Sequence, residues 1–140
     1  MKIRLISFVF SILATSTASY AESMRCKFEA IYTLGDGGEF LDHPISEIIL
    51  PMEAIVDLST GVVYHPAFGN EGYDTRQILD GGSSASSFKV IAYSRLSPPR
   101  VAGENGFRNF TMFQIQTYFE GATKPFVTIE GSSIGSGICQ

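Results

Sequence analysis

The sequence has no tryptophan, two cysteines, two histidines and little charge, since Asp, Glu, Lys and Arg make up only 17% of its residues. A hydrolytic triad needs a base, and neither His43 nor His65 lies near a nucleophile motif. The cysteines form no CxxC pair and no His-x₃-His spacing accompanies them, so a zinc site is not expected. Because the basic residues form no run, nucleic acid and anionic membranes are poor electrostatic partners. We predict no catalytic residue and no cofactor.

Two groups of acidic and histidine side chains are candidate metal ligands, but neither has the spacing of a known metal motif. They are His65, Glu71, Asp74 and Asp80 in one stretch, and Asp36, Glu39 and Asp42 in a Gly-rich turn. We therefore predict no metal site. A phosphate-binding role for Gly131–Gly137 is also not expected, because no Lys-Ser/Thr pair and no helix follows the glycines.

Residues 1–21 have the pattern of a secretory signal peptide. Lys2 and Arg4 give it a positive start, Leu5–Ala14 is nearly all apolar, and Ser19–Ala21 has small residues at the −3 and −1 positions of a cleavage site. The apolar run is shorter than the ~20 residues that span a bilayer, so an uncleaved anchor is the less favoured alternative. We expect an exported protein, periplasmic or secreted, with no stable membrane insertion after cleavage.

Cleavage after Ala21 leaves 119 residues, 22–140, which is the length of a single domain. Loss of Lys2 and Arg4 leaves eight basic residues against fourteen acidic ones, a net charge of −6. The acidic residues are scattered, as on a solvated surface. Low charge together with many Phe, Tyr, Ser and Gly residues favours an all-β domain.

Cys26 and Cys139 lie near the two ends of this predicted domain. In an exported protein a disulfide between them is the default, with free or intermolecular thiols as the alternative. The bond would join the first strand to the last and close a loop of almost the whole domain. In the chain-entropy model such a loop stabilises the fold by about 4–5 kcal/mol.

Period-two alternation predicts a first strand within Met24–Leu34, ended by the Gly-rich turn that follows. The alternation places Cys26, Phe28, Ala30, Tyr32 and Leu34 on one face, and Ile31 is the one apolar residue out of phase. Glu39–Pro51 fits a helical turn, an irregular edge segment or a strand. The remaining predicted strands are a Met52–His65 hairpin with its turn at Ser59–Gly61, and Phe88–Tyr93, Asn109–Phe119 and Phe126–Ile129. Together they predict an all-β fold, namely a single antiparallel meander, a small barrel or a sandwich of about six to eight strands.

Pro66–Ser87 has no clear pattern, and long loops in compact domains are often functional, although a mobile surface excursion is the simpler alternative. We expect a ligand or partner site along it. The candidate residues are Tyr64, His65, Phe68, Tyr73 and Arg76. The C-terminal strands carry aromatic residues on both faces, so the face that is not core needs a second layer, an apolar ligand or a partner.

The sequence thus predicts a non-enzymatic binding protein for a small apolar ligand or for an envelope or extracellular protein. Two alternatives stay open. An extracytoplasmic hydrolase using scattered carboxylates would show a concave pocket with two convergent titratable groups. A structural or envelope-assembly component would show a flat apolar patch and self-association.

Overall fold

The structure is a computed structural model that describes residues 22–95 and 107–140, so the predicted signal peptide lies outside the described residues. In chain order the elements are β1 (Ser23–Leu34), β2 (Phe40–Asp42), α1 (Ser46–Ile49), β3 (Glu53–Asp57), β4 (Val63–Tyr64), β5 (Thr75–Gly81), β6 (Phe88–Arg95), β7 (Phe107–Ile115), β8 (Lys124–Glu130) and β9 (Ser133–Cys139). Within the described ranges, no helix is long and apolar enough to cross a membrane.

The strands form one antiparallel sheet in the order β4-β3-β1-β9-β8-β7-β6-β5, with β2 paired to β1 off this path. The sheet curls into a half-barrel, which confirms the predicted all-β fold. β1 occupies the middle of the sheet, between β3 and the last strand, β9. The two ends of the domain therefore lie side by side in its centre.

The disulfide between Cys26 and Cys139 is present, as predicted. The two cysteines are direct partners in the β1–β9 register, with Cα atoms 3.9 Å apart, and both are fully buried. Beside them, Arg25 and Gln140 exchange backbone hydrogen bonds of 2.9 and 2.8 Å. The bond therefore joins strands that the sheet already holds together.

A β-bulge explains why Ile31 falls out of phase in β1. The register with β9 shifts between Phe28 and Ala30, and such an extra residue exchanges the two faces of the strand beyond it. Ile31 is consequently 2% exposed, whereas Tyr32 is 39% exposed. The alternation assigned Tyr32 and Leu34 to the face of Phe28, and this assignment is wrong beyond the bulge.

The Gly/Ser-rich stretch after Gly131 forms β9 rather than a linker. Gly135 and Gly137 occupy the buried face at positions where a side chain would meet the ring of Phe28 or of Phe126. A Cβ at Gly137 would also collide with the backbone carbonyl of β1. The glycines thus leave room for aromatic rings from the neighbouring strands.

Two other predicted segments differ from the structure, and a third, ambiguous one is resolved by it. Pro66–Ser87 is not one loop, because β5 lies inside it and carries a bulge between Ile78 and Asp80. β7 ends at Ile115 rather than Phe119, since the chain turns from Gln116 onward. The ambiguous stretch before Pro51 contains both the short β2 and the single turn α1.

Cross-strand rows of side chains form the buried face of the sheet. The first row is Phe28, Gly137, Phe126, Ile115 and Phe88, and the second is Ile31, Gly135, Thr128, Phe113, Val90 and Ile78. The third row is Thr33, Ser133, Glu130, Thr111, Ala92 and Arg76. The buried face therefore changes from aromatic and aliphatic side chains to polar ones towards one end of the half-barrel.

Candidate functional site

The chain after β4 folds around the imidazole of His65. Nδ1 accepts hydrogen bonds from the backbone N–H groups of Ala67, at 3.1 Å, and Phe68, at 3.0 Å. The ring lies 4.8 Å from that of Phe28, and only 4% of the residue is exposed. Burial lowers the pKa of His65, and the charge of Glu71 opposes this effect. Because Nδ1 is an acceptor, the neutral ring carries its proton on Nε2, which is buried without a partner.

Asn70 ties this loop to both edges of the half-barrel. Its Oδ1 accepts the backbone N–H of Val63 at 2.8 Å, and its Nδ2 donates to the carbonyl of Gly61 at 2.9 Å. From the opposite edge strand, Arg76 donates through Nε to Asn70 Oδ1 and through Nη2 to Asn70 O, both at 3.0 Å. Asn70 and Arg76 therefore connect β4 to β5, the two edge strands, which do not pair with each other in the sheet.

A cavity of about 260 Å³ adjoins α1, this loop and the polar row of the sheet. Its lining residues are His43, Ile45, Ile49, Ala67, Phe68, Glu130 and Ser133. Four of the seven are apolar, and Glu130 is the one carboxylate among them. We call this space the Glu130 cavity.

Glu130 is incompletely paired. Its Oε1 accepts a hydrogen bond from the Tyr73 hydroxyl at 3.1 Å, but its Oε2 is buried with no partner among the described residues. Directly opposite in the β7–β8 register, the Thr111 hydroxyl is also buried and unpartnered. Burial raises the pKa of Glu130, the hydrogen bond from Tyr73 lowers it, and the charge of Glu71 raises it further. Burial and the neighbouring carboxylate raise the pKa of Tyr73 to about 12, so the phenol stays a donor at neutral pH.

The structure places the five sequence-predicted site residues in different roles. Phe68 lines the Glu130 cavity, and Tyr73 reaches it through its hydrogen bond to Glu130. His65 accepts backbone hydrogen bonds that fold the loop after β4, and Arg76 donates hydrogen bonds to Asn70 and so connects β5 to that loop. Tyr64 is 51% exposed and does not line the cavity. Phe68 is 3% exposed and its ring lies 5.2 Å from that of Phe28, so it also belongs to the core.

The sequence did not point to His43, Glu130 or Ser133 as members of one site. A signal for Ser133 exists, because Gly131–Gly135 has the Gly-x-Ser-x-Gly spacing of a hydrolase nucleophile elbow. That motif requires a turn from a strand into a helix, whereas Ser133 begins β9 of a hairpin. His43 Nδ1 also accepts the Ile45 N–H at 3.3 Å, which leaves the proton of a neutral ring on Nε2. A triad base needs the opposite tautomer.

A second cavity, of about 250 Å³, lies near the start of β1 and the β5–β6 turn. Its lining residues are Glu22, Met24, Leu58, Gly81, Gly82, Ser83, Thr117 and Lys124. Here Thr117 donates to the carbonyl of Ser86, and Lys124 donates to that of Phe119. Because the hydroxyl of Thr117 and the ammonium of Lys124 already have protein partners, this cavity is a weaker candidate for a ligand site than the Glu130 cavity.

No family model, no curated protein and no solved structure matches the chain. In the part of the chain that the structure describes, no three His, Cys, Asp or Glu side chains are grouped so that they could hold a metal ion. A function must therefore be inferred from the geometry of the Glu130 cavity.

Proposed function

We propose that this protein is an exported, non-enzymatic binding protein that takes one small ligand into the Glu130 cavity. The observation that carries the proposal is Glu130, which lines a mainly apolar cavity and whose buried Oε2 has no donor among the described residues. A buried polar group left unpaired costs about 1–3 kcal/mol, and a charged one costs more. A ligand that donates a hydrogen bond there would recover that free energy. The buried disulfide and the predicted signal peptide support export.

The size of the cavity limits the ligand. At about 30 Å³ for each water-sized group, about 260 Å³ holds eight or nine such groups. The ligand is thus smaller than a typical drug-sized molecule, whose sites begin near about 300 Å³. Its apolar part would contact Ile45, Ile49, Ala67 and Phe68, and its polar part would face Glu130 and Ser133.

Native mass spectrometry of the mature protein, purified gently from an exported preparation, tests the proposal. We expect an extra mass on the order of 100–150 Da that leaves on denaturation. Ala67→Leu narrows the cavity and should reduce the loaded fraction, whereas Ala85→Leu makes the same change in an exposed loop outside it. A bare monomer mass for the parent protein, with no difference between the variants, would contradict a carried ligand.

A hydrolase is the second candidate, because His43, Glu130 and Ser133 line the same cavity. This meets the condition of two titratable groups in one pocket. The Tyr73–Glu130 hydrogen bond and the acceptor role of His43 Nδ1 both oppose a Ser133–His43–Glu130 triad. Labelling of Ser133 by a fluorophosphonate, absent in Ser133→Ala, would favour the hydrolase over the binding protein.

The structural alternative would use the outer face of the sheet. There a cross-strand row of partly exposed side chains comprises Tyr32, Ile134, Ile129, Met112 and Ile91. A dimer mass in the same native spectra would favour this row as an assembly surface.

A further inference from the structure

The surroundings of Glu130 carry negative charge, and among the described residues no ion pair neutralises it. Glu71 lies close enough for its charge to act on Glu130. The seven residues that line the cavity include no lysine and no arginine. Arg76 belongs to the same row of the sheet, but its guanidinium is engaged by two hydrogen bonds to Asn70. An anion entering the cavity would therefore meet repulsion from both carboxylates.

The polar side chains at this wall are the carboxylate of Glu130, the hydroxyl-bearing Ser133 and the imidazole of His43. The Tyr73 hydroxyl already donates to Oε1, which leaves Oε2 of Glu130 as an unpaired acceptor. Ser133 lines the cavity from the position opposite Glu130, and Thr111, which is buried and does not line the cavity, is the neighbour of Glu130 on the other side of the same row. A hydroxyl can accept as well as donate. The row thus contributes one carboxylate and one hydroxyl-bearing residue to the cavity wall.

We propose that the ligand of the Glu130 cavity is a small organic cation, a protonated primary amine attached to an apolar group, an inference that rests on the proposed function. An ammonium group has three N–H donors and one positive charge, which match the carboxylate of Glu130 beside Ser133. The aliphatic or aromatic part of the ligand packs against Ile45, Ile49 and Phe68. A neutral alcohol would supply a single donor and no charge, and a carboxylate would add to the charge of Glu71 and Glu130.

Three probes of nearly equal size and shape separate these classes: benzylamine, benzyl alcohol and benzoate. Each is titrated into the ¹⁵N-labelled mature protein while the backbone amide signals of Ala67, Glu130 and Ser133 are followed. We expect benzylamine to saturate these shifts about ten- to a hundredfold more tightly than benzyl alcohol, the effect of one charge-assisted hydrogen bond. Benzoate should not saturate them.

Two variants with the same charge change identify the group responsible. Glu130→Gln should weaken benzylamine binding about ten- to a hundredfold and leave benzyl alcohol nearly unchanged. Glu29→Gln removes the same charge from an exposed position on β1 and should leave benzylamine binding unchanged. A thermal melt of each variant checks that it is folded.

Each other outcome overturns the inference. If benzyl alcohol or benzoate saturates the cavity amides at least as tightly as benzylamine, the ligand is not a cation, but a small-molecule cavity remains. If Glu29→Gln weakens benzylamine as much as Glu130→Gln does, net charge rather than Glu130 is responsible. If no probe shifts these amides, the amine class is wrong, and the native mass comparison of Ala67→Leu with Ala85→Leu decides separately whether the cavity carries a ligand.

Discussion

Replacing Asn70 by alanine should lower the free energy of unfolding by about 2–6 kcal/mol, although Asn70 does not line the cavity. The amide satisfies the N–H of Val63 at 2.8 Å and the carbonyl of Gly61 at 2.9 Å, and both residues are buried. Alanine leaves both backbone groups unpaired, and each such group costs about 1–3 kcal/mol. The domain should remain folded but weakened, since domains of this size have about 5–15 kcal/mol of stability in total.

Urea unfolding of a double-mutant cycle tests this reasoning. Arg76→Met keeps most of the aliphatic stem and removes the bond from Nε to Asn70 Oδ1. The two changes share that bond, so their effects should deviate from additivity by about 0.5–3 kcal/mol. Gln77→Ala, on the exposed side of β5, is the control and should change stability by no more than about 0.5 kcal/mol. Strict additivity, or an Asn70→Ala effect as small as that of the control, would refute the stabilising role of the Asn70–Arg76 hydrogen bonds between β4 and β5.

Three further predictions concern the disulfide, β9 and the charge of Glu130. Replacing Cys26 and Cys139 by alanine should lower the free energy of unfolding in urea by about 4–5 kcal/mol, and a loss below about 1 kcal/mol would count against the entropic model. Gly137→Ala should lower the melting temperature strongly because its Cβ collides with backbone, whereas Gly72→Ala, with open space around its Cβ, should have little effect; equal effects would contradict the packing. The folded-state pKa of Glu130 lies above its unfolded value, so its stabilising contribution is complete below the unfolded pKa of about 4.5 and is lost as pH rises through the folded pKa. Glu130→Gln should therefore melt higher than the parent protein at pH 7 but not at pH 4, and a lower melting temperature at pH 7 would show that the charge stabilises the fold.

Elements with regular side-chain patterns were predictable from the sequence. The β3–β4 hairpin has alternating residues and a turn that ends at Gly61, whose positive φ of 72° suits glycine. β5 and most of the length of β9 escaped prediction, for different reasons. β5 is an edge strand whose bulge at Leu79 interrupts the alternation. In β9 the alternating inward residues are glycines, so the apolar rings that fill its face come from other strands.

The site was harder to predict than the fold because its members come from distant parts of the chain. His43 precedes α1, Phe68 follows β4, and Glu130 ends β8. Only the strand order that brings β1, β9 and β8 together makes them neighbours. Phe68 and Tyr73 were identified because loop composition marked the segment that carries them. Nothing in the local pattern of β8 distinguishes Glu130 from a solvated surface acid.

The polar end of the buried face is better explained by function than by folding. Within the described residues, the buried side-chain atoms without partners are His65 Nε2, Thr111 Oγ1 and Glu130 Oε2. Glu130 lines the cavity, Thr111 is its cross-strand partner, and the His65 ring lies 5.9 Å from that of Phe68 in the cavity wall. Buried polar atoms are normally paired, and an apolar side chain at position 111 or 130 would avoid this cost. A fold selected for stability alone has no reason to concentrate such costs beside one cavity. The proposed ligand, by forming a hydrogen bond with Glu130, would supply that reason, because stability is commonly lost where a site must remain ready to bind.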